Sequence, residues 1–156
     1  MITIRKATES DRAGLLSLVA AQDNFTVLER EVAEEVIDDG LTGKDDYEIL
    51  VGVEAAGEVI GFICFGPIPL TEFSFDLYWI ATLPSHGRQG LGGRLLAAME
   101  EQLRLAGAVV YIDTSSTPGY DKARSFYEKH GYLVAARLQD FYHPGDDRVI
   151  YRKEMQ

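Results

Sequence analysis

The amino-acid sequence predicts an α/β (α+β) domain in which about four helices cover a mixed central sheet of about seven strands. Three observations predict this class. Apolar strand patterns form a three-strand meander, a strand–helix–strand unit with a glycine-rich loop follows it, and a hairpin closes the sequence. The 156 residues form one domain, because no linker, repeat or low-complexity segment divides them.

The chain opens with one strand and two helices. Ile2 and Ile4 alternate with polar residues, as in a half-buried strand. The segment Thr8–Asp11 resembles a capping box, with Asp in place of Glu, and a helix with an apolar period follows it. A second helix, rich in acidic residues, is predicted over Val27–Asp38.

Three strands then form the antiparallel meander. Tyr47–Val53 and Val59–Phe65 are apolar runs separated by a turn that contains Gly57, so we predict a hairpin. Phe73–Ala81 is the fourth strand of the chain, and it leads directly into the glycine-rich loop.

The second half places helices between strands before the closing hairpin. A long helix runs to about Ala106 and is ended by Gly107, and the next run, Ala108–Thr114, is apolar enough to be buried on both faces. A further helix spans about Tyr120–His130 and is ended by Gly131. The last predicted elements are two strands, Tyr132–Leu138 and Arg148–Arg152, joined by a turn at Pro144–Asp147.

The stretch Ile80–Leu96 is the most informative part of the chain. An apolar strand ends at Pro84, and Gly90, Gly92 and Gly93 open the helix after it. Glycines leave the backbone N–H groups bare at the positive end of the helix dipole, and this suits phosphate oxygens. The loop therefore predicts an anionic ligand such as a pyrophosphate.

Two common phosphate-binding patterns fit the loop poorly. A Walker loop needs Lys-Ser/Thr after its last glycine, whereas Gly93-Arg94 follows Gly92 here. A dinucleotide fingerprint needs a third glycine that the loop lacks, although Asp113 stands where that fold has its ribose-binding acid. A dinucleotide domain would also alternate strand and helix from its start, with the glycine loop after its first strand. The order of elements therefore argues against it.

Four segments recur, in this order, in one enzyme superfamily. They are Ile4–Asp11, Ile80–Pro84, the Arg88–Gly92 loop and Ala123–Tyr132, which has the pattern Ala-x-x-x-Tyr-x-x-x-Gly-Tyr. Through them the chain resembles the GCN5-related N-acetyltransferase (GNAT) superfamily along nearly its whole length, and loosely the ribosomal-protein alanine N-acetyltransferases. The superfamily loop reads Gln/Arg-x-x-Gly-x-Gly/Ala, and Gly87 stands here where Gln or Arg is usual.

The resemblance implies a GNAT-type three-layer fold whose parallel fourth and fifth strands splay apart, and acetyl-CoA as acetyl donor without a metal. Backbone N–H groups from Arg88 to Gly93 would hold the pyrophosphate, and Arg88 or Arg94 would compensate for the side chain missing at Gly87. The end of the fourth strand would pair with the pantetheine arm and place an N–H near the thioester oxygen. The cofactor-binding residues implied in this way are Ile80, Ala81, Thr82, Gly87, Arg88, Gln89, Gly90, Leu91, Gly92, Gly93, Arg94 and Tyr120.

The resemblance also implies an acid and a base. Tyr127 matches the superfamily tyrosine that protonates the departing CoA thiolate, and the alternative is a packed helix aromatic. Asp113 matches the position of a carboxylate that deprotonates the amine. The alternatives for the base are a water relay, Glu72 or Asp76, with Asp113 then a carboxylate that caps a turn. Tyr120 would either line the thioester site or begin the last helix.

Aromatic and polar residues of two segments are expected to border the acceptor groove, with about half of them facing the core instead. Among them, Trp79 is the residue that we expect in the core. The set comprises Phe73, Phe75, Tyr78, Trp79, Phe141, Tyr142 and His143.

Composition limits the partners. A net charge of −10 argues against a nucleic-acid partner and is compatible with a small-molecule or peptide amine as acceptor. The charged N-terminus predicts neither a signal peptide nor a membrane span, so we expect a cytoplasmic protein. A single cysteine, Cys64, allows no internal disulfide, and the scattered histidines do not predict a metal site. A homodimer through the last strands is a further expectation.

The sequence thus predicts an N-acetyltransferase that passes acetyl from acetyl-CoA to a primary amine by direct attack in a ternary complex. Two other functions stay open at this point: a non-catalytic acyl-CoA sensor or interaction module, and a nicotinamide-dependent enzyme. The acceptor is not specified, because fold alone does not select it.

Overall fold

A computed structural model describes residues 1–86 and 89–156. Gly87 and Arg88, which the sequence analysis placed in the cofactor loop, lie outside the described residues. The strands are β1 (Ile2–Lys6), β2 (Glu48–Glu54), β3 (Val59–Pro67), β4 (Ser74–Thr82), β5 (Val109–Ser115), β6 (Leu133–His143) and β7 (Asp146–Glu154). The α-helices of the described residues are α1 (Arg12–Ala20), α2 (Val27–Thr42), α3 (Leu91–Arg104) and α4 (Asp121–Lys129).

One mixed sheet holds all seven strands in the order β1-β2-β3-β4-β5-β7-β6. Strands β1 to β4 pair antiparallel, β4 and β5 pair parallel, and β7 pairs antiparallel with both β5 and β6. The predicted class, the order of elements along the chain and the closing hairpin are therefore confirmed. No helix of the described residues is long and apolar enough to span a membrane.

Helices cover both faces of the sheet and give three layers. On one face, α1 and α2 bury residues such as Leu18 and Ile37 against Phe62 of β3. On the other face, α3 and α4 bury Leu95 and Tyr127 in a separate apolar cluster. The alternation of side chains along the strands supplies both clusters, because successive residues point to opposite faces.

Two glycines let α3 approach the sheet closely. Gly52 of β2 and Gly61 of β3 are register partners. A Cβ at Gly52 would lie 2.8 Å from Leu91 Cδ1, and a Cβ at Gly61 would lie 2.8 Å from Leu91 Cδ2 and 3.1 Å from Leu95 Cδ1. Leu91, the first residue of α3, is almost fully buried as a result. This contact fixes the helix N-terminus against the sheet.

Two predicted boundaries are wrong. Helix α2 continues past Asp38 to Thr42 and ends at Gly43, whose φ of 71° is a left-handed C-cap. The last hairpin is longer than predicted, since β6 reaches His143. Its end is shaped by Asp140, which has a φ of 54° and accepts a hydrogen bond from the Gly145 N–H at 2.8 Å. Such a local side-chain contact leaves no periodic signal in the sequence.

Candidate active site

A cleft opens where β4 and β5 separate. Their parallel pairing covers only Ser74–Leu77 against Val109–Ile112. Beyond that point β4 stays paired with β3 and β5 stays paired with β7, so the facing edges of Ile80–Thr82 and Asp113–Ser115 diverge. The predicted splay of the fourth and fifth strands is therefore present.

A cavity of about 400 Å³ lies in this cleft. Its walls come from the segment before α2, from α2 itself, from β4 and β5, from α4 and from the β6–β7 hairpin. The lining residues are Asn24, Phe25, Glu29, Tyr78, Trp79, Ile80, Asp113, Thr114, Ser115, Tyr120, Ala123, Tyr127, Tyr142, His143 and Asp146.

The glycine-rich segment forms the start of α3. Gly90 is the N-cap with a φ of 73°, a conformation that favours glycine. The Arg94 N–H donates to the Gly90 carbonyl at 3.1 Å, so the N–H groups of Leu91, Gly92 and Gly93 precede the first intrahelical bond. These three donors, at the positive end of the helix dipole, are what an anion such as a pyrophosphate needs.

Gly92 and Gly93 have a second role that the sequence analysis missed. A Cβ at Gly92 would lie 3.4 Å from the Phe126 ring, and a Cβ at Gly93 would lie 3.1 Å from His130 Nε2. The two glycines therefore let α4 pack closely on the N-terminus of α3. Because α4 carries Tyr127, the same glycines help to position the candidate acid.

The polar residues on either side of the loop glycines make different hydrogen bonds. Gln89 is exposed, and its N–H donates to the His86 carbonyl at 3.2 Å. The Arg94 guanidinium donates to the Ile2 carbonyl of β1 at 3.0 Å. Gly87 and Arg88, expected to contribute to the same site, lie outside the described residues.

A bulge in β4 changes which side chains face the cavity. Cys64 pairs with Trp79 and Phe65 with Leu77, which leaves Tyr78 as the extra residue. An extra residue reverses the alternation, so Tyr78 and Trp79 both pack on the α1–α2 face. Trp79 is half-buried: it packs against the core as expected, and it also lines the cavity.

The free stretch of β4 beyond the bulge has three residues. Ile80 lines the cavity, and Ala81 is buried against the α1–α2 face. The Thr82 carbonyl accepts a hydrogen bond from Gln22 Nε2 at 3.0 Å. The edge of β4 opposite β3 faces the cleft over this stretch, as the resemblance implied for a strand that pairs with pantetheine.

Tyr127 is the most deeply buried tyrosine of the cavity. Its side chain is 7% exposed, and its ring packs near those of Tyr132 and Tyr151. The hydroxyl makes no hydrogen bond to a described residue, and burial first, then the nearby Tyr120, raise its pKa well above the usual range. A tyrosine in this state keeps its proton at neutral pH and has it free to donate.

Tyr120 and Glu29 join two distant parts of the chain. The Tyr120 hydroxyl donates to Glu29 Oε2 at 3.0 Å. Burial, followed by this hydrogen bond, raises the pKa of Tyr120 well above its usual value. Sequence reasoning missed Glu29 as a cavity residue. The sequence pattern that contains Glu29, Thr26-x-x-Glu29, indicates only the start of a helix. The structure confirms that cap, since the Glu29 N–H donates to Thr26 Oγ1 at 3.1 Å.

Asp113 lines the cavity and forms an ion pair with Arg148. Arg148 Nη2 donates to Asp113 Oδ2 at 2.8 Å, and the Arg148 guanidinium lies 5.0 Å from the centre of the Phe141 ring. Arg148 Nε is buried with no partner among the described residues. Asp76, next to this pair, is half-buried, and burial first, then the charge of Asp113, raise its pKa against the opposing charge of Arg148.

The other candidates divide between cavity and surface. Of the expected aromatic set, Tyr78, Trp79, Tyr142 and His143 line the cavity. Phe73 and Phe141 are exposed, Phe75 packs on the core, and Glu72 is an exposed residue of the loop before β4. In the described part of the chain, no group of three or more His, Cys, Asp or Glu side chains is placed to hold a metal ion.

Comparison with protein families and known structures agrees with this geometry. The family model described as "Acetyltransferase (GNAT) family" matches residues 15–132. A structure from Desulfovibrio desulfuricans assigned to the GNAT acetyltransferases is 34% identical, with a TM-score of 0.94 and full coverage of both chains. None of the curated proteins matches the chain significantly in sequence.

More distant structures share the fold. The ribosomal-protein-S18-alanine N-acetyltransferase of Escherichia coli is 20% identical, with a TM-score of 0.79 over 100% of this chain and 95% of its own. An aminoglycoside 6'-N-acetyltransferase complexed with coenzyme A is 17% identical, with a TM-score of 0.77 over 99% of this chain and 97% of its own.

Proposed function

Since this chain belongs to the GNAT family and is an acetyltransferase, we propose that it transfers acetyl from acetyl-CoA to a primary amine by direct attack in a ternary complex. One observation carries the proposal. The buried Tyr127 hydroxyl, with no partner among the described residues, faces the cavity at the point where β4 and β5 diverge. A similar fold holds coenzyme A in the aminoglycoside enzyme, and this supports the choice of donor.

The donor would be held by backbone groups. The N–H groups of Leu91, Gly92 and Gly93 would bind the pyrophosphate, and the free edge of Ile80–Thr82 would pair with the pantetheine arm. An N–H of this edge close to the thioester oxygen would stabilise the negative charge that develops during attack. Gln89, Gly90 and Arg94 complete the described part of this loop.

Two proton transfers complete the reaction. The amine nitrogen attacks the thioester carbon, the C–S bond breaks, and Tyr127 gives its proton to the departing sulfur. The proton would move as the C–S bond breaks, and a neighbouring phenol that is still protonated at neutral pH would supply it. Asp113, directly or through water, takes the proton that the amine must lose. Asp113 lines the cavity, and its hydrogen bond from Arg148 restrains one carboxylate oxygen.

The proposal extends to location and assembly. We propose a cytoplasmic enzyme, and a homodimer that uses the edge strand β6. This strand lies at the end of the sheet and exposes Leu133, Val134 and Phe141. Unpaired edges with apolar side chains favour association with another chain. Sedimentation of the wild type and of Val134→Lys tests the dimer, since a charge at the edge should yield monomers.

Free-thiol release from acetyl-CoA tests the function. A panel of peptide N-termini, polyamines, aminoglycosides and amino acids supplies the acceptors, and calorimetry measures acetyl-CoA binding in parallel. Release that depends on one amine class supports the proposal. Tight binding of acetyl-CoA without release by any amine would instead support a non-catalytic acyl-CoA sensor. Absence of binding would reject acetyl-CoA as the donor.

A further inference from the structure

The cavity contains more negative charge than acetyl transfer itself requires. Three carboxylates line it: Glu29 at the start of α2, Asp113 in β5 and Asp146 at the start of β7. They come from three separate elements, so they do not form one solvated acidic run of the sequence. The fold has brought them to a single concave site.

The three carboxylates are close enough to one another to act on the same tyrosine. Tyr142 lines the same cavity, and burial is the main cause of its raised pKa. The negative charges of all three carboxylates add to that rise, against the opposing charge of Arg148. Tyr120 is close to Glu29, its hydrogen-bond partner, and is also within range of the charge of Asp146. Tyr120 therefore contacts Glu29 and lies within electrostatic range of Asp146.

Only one of the three carboxylates has a cationic partner. Asp113 pairs with Arg148 at 2.8 Å. Glu29 accepts hydrogen bonds from the hydroxyls of Tyr120 and Thr26, and Asp146 accepts one from the hydroxyl of Ser115. Hydroxyl groups are neutral, and within residues 1–86 and 89–156 neither Glu29 nor Asp146 takes part in an ion pair. Two negative charges thus stay uncompensated beside Tyr120.

Tyr127 is a second, independent indication that the cavity binds a ligand. Its hydroxyl is aimed at the cavity, its side chain is more than nine-tenths buried, and it has no partner among the described residues. A hydroxyl that has no protein partner and belongs to so buried a residue can form its hydrogen bond only with what enters the cavity. A bound molecule would supply the acceptor.

The reacting nitrogen does not balance the two free carboxylates. An amine attacks only as the neutral base, so it brings no positive charge to the cavity when it is bound ready to react, and the charge that develops on attack leaves with its proton. A second ammonium group in the same molecule keeps its charge throughout. The aromatic faces of Phe25, Tyr78 and Trp79 line the same cavity and suit a cation and its methylene groups.

We propose that the acceptor is a small amine with a second positive charge, and that Glu29 and Asp146 bind this second ammonium beside Tyr120. The inference depends on the proposed acetyl transfer and specifies its substrate class. In the reaction, the distal ammonium keeps its proton, while the other nitrogen, as the free amine, forms the new C–N bond near Tyr127. The C–S bond breaks, Tyr127 protonates the sulfur and then recovers a proton from solvent, and the amine proton leaves through Asp113.

A matched pair of acceptors tests the proposal. 1,4-Diaminobutane and 4-amino-1-butanol have the same length, but the second has a neutral hydroxyl in place of the distal ammonium. Thiol release by the full-length protein should give a kcat/KM for the diamine about tenfold higher or more, because charge-assisted hydrogen bonds to carboxylates are strong. The difference should lie mainly in KM and should shrink at high salt.

Three variants locate the effect. Glu29→Gln preserves the capping pattern, since Gln also serves at that position, and Asp146→Asn preserves an acceptor for Ser115. Each should bring the diamine-to-alcohol ratio of kcat/KM close to one. Glu31→Gln removes an exposed charge from the same helix outside the cavity, and it should leave the ratio unchanged.

The outcomes separate this inference from the proposed function. Turnover with equal kcat/KM for the two acceptors would overturn the second-charge inference and leave acetyl transfer intact. A diamine preference that survives in both Glu29→Gln and Asp146→Asn would overturn the assigned subsite. Calorimetric binding of the diamine but not the alcohol, lost in Glu29→Gln, would support the subsite independently of turnover. Failure to bind acetyl-CoA would remove the proposed function and this inference with it.

Discussion

The two sides of the cleft are built in different ways. The proposed donor half consists of the β4 edge Ile80–Thr82 and the N-terminus of α3, and it comes from one continuous stretch of chain. The proposed acceptor half consists of Glu29, Tyr120, Asp113, Tyr142 and Asp146. Its elements are far apart in sequence, and one hydrogen bond, from Tyr120 to Glu29, spans 91 residues. Only the donor half is therefore a local motif.

The physical interactions differ as well. The position of the donor half depends on close packing, because the buried Leu91 lies where Gly52 and Gly61 have no side chains. Charges and hydroxyl groups determine the acceptor half, where the Asp113–Arg148 pair is the described ion pair of the cavity wall. Substitutions in the donor half should therefore change stability and acetyl-CoA affinity together. Substitutions in the acceptor half should change rate and acceptor selectivity with little change in donor binding.

Tyr127→Phe should have the largest effect. The substitution keeps the ring packing and removes the proton donor, so kcat should fall on the order of 10²–10⁴-fold. Stability should change little, because the hydroxyl has no partner among the described residues. Steady-state kinetics, with acetyl-CoA affinity from calorimetry as the control, measure this effect. A near-normal kcat would exclude Tyr127 as the acid.

The raised pKa of Tyr127 adds a pH signature. Its cause is burial first, and it keeps the hydroxyl protonated beyond the range of free tyrosine. The alkaline loss of activity due to this acid should therefore lie above about pH 10, the value for an unperturbed tyrosine. An alkaline limb in the wild type well below that pH would have to come from another group.

Asp113→Asn should have the next largest effect. Loss of a general base costs on the order of 10²-fold in kcat. The deficit should narrow as the pH rises, because a larger fraction of the acceptor is then already the free amine. The pH dependence of kcat/KM for both proteins measures this. A constant small deficit at every pH would favour a water relay without Asp113, and the donor affinity should be unchanged in either case.

The contrast between the halves also explains what could be predicted from the sequence. The order of elements followed from strand periodicity and cap residues, and the glycines after Pro84 predicted an anion site at the start of a helix, all from local signals. The role proposed for the β4 edge came from the family resemblance. Glu29 carried only the signal of a helix cap, and the fold alone brings it to Tyr120. Trp79 packs on the core as expected, but its place in the cavity wall was not foreseen, because the bulge at Tyr78 reverses the strand alternation and a bulge depends on the partner strand.

Gly61→Ala should disturb the packing of α3 on the sheet and so the position of the donor half. The new methyl would lie 2.8 Å from Leu91 Cδ2 and 3.3 Å from the Ala81 carbonyl oxygen, a backbone atom that cannot move alone. Overpacking of this kind costs about 1–3 kcal/mol, so the melting temperature should fall by several degrees. The KM for acetyl-CoA should rise in parallel, since Leu91 begins the helix whose N–H groups are proposed to bind the pyrophosphate.

Gly119→Ala is the matched control for that change. A Cβ at Gly119 would meet no atom within 4 Å, so the melting temperature and the KM for acetyl-CoA should both stay close to the wild-type values. Equal effects of the two substitutions would contradict the steric account of the donor half. A loss of stability in Gly61→Ala without a change in KM would separate the packing of α3 from donor binding.

Asp76→Asn should have the smallest effect and the opposite sign. Burial first, then the charge of Asp113, raise the pKa of Asp76, so the folded state binds its proton more tightly than the unfolded chain does. The stabilisation that this bound proton provides is complete below about pH 4, the ordinary carboxyl pKa. It is lost as the pH rises through the higher pKa that Asp76 has in the folded protein. Removing the ionisable group should therefore raise the melting temperature at pH 7 by about 1–2 °C. The gain should disappear toward pH 4.

Asp11→Asn provides the reverse case in the same protein. The Arg5 hydrogen bond is the main cause of the lowered pKa of Asp11, so its stabilisation is present above the ordinary carboxyl range and is lost as the pH falls. This variant should melt below the wild type at pH 7, and the gap should narrow in acid. If both variants melted alike across this pH range, Asp76 would not be under electrostatic strain. Burial of Asp76 and the neighbouring charge of Asp113 would then cost the folded state no stability.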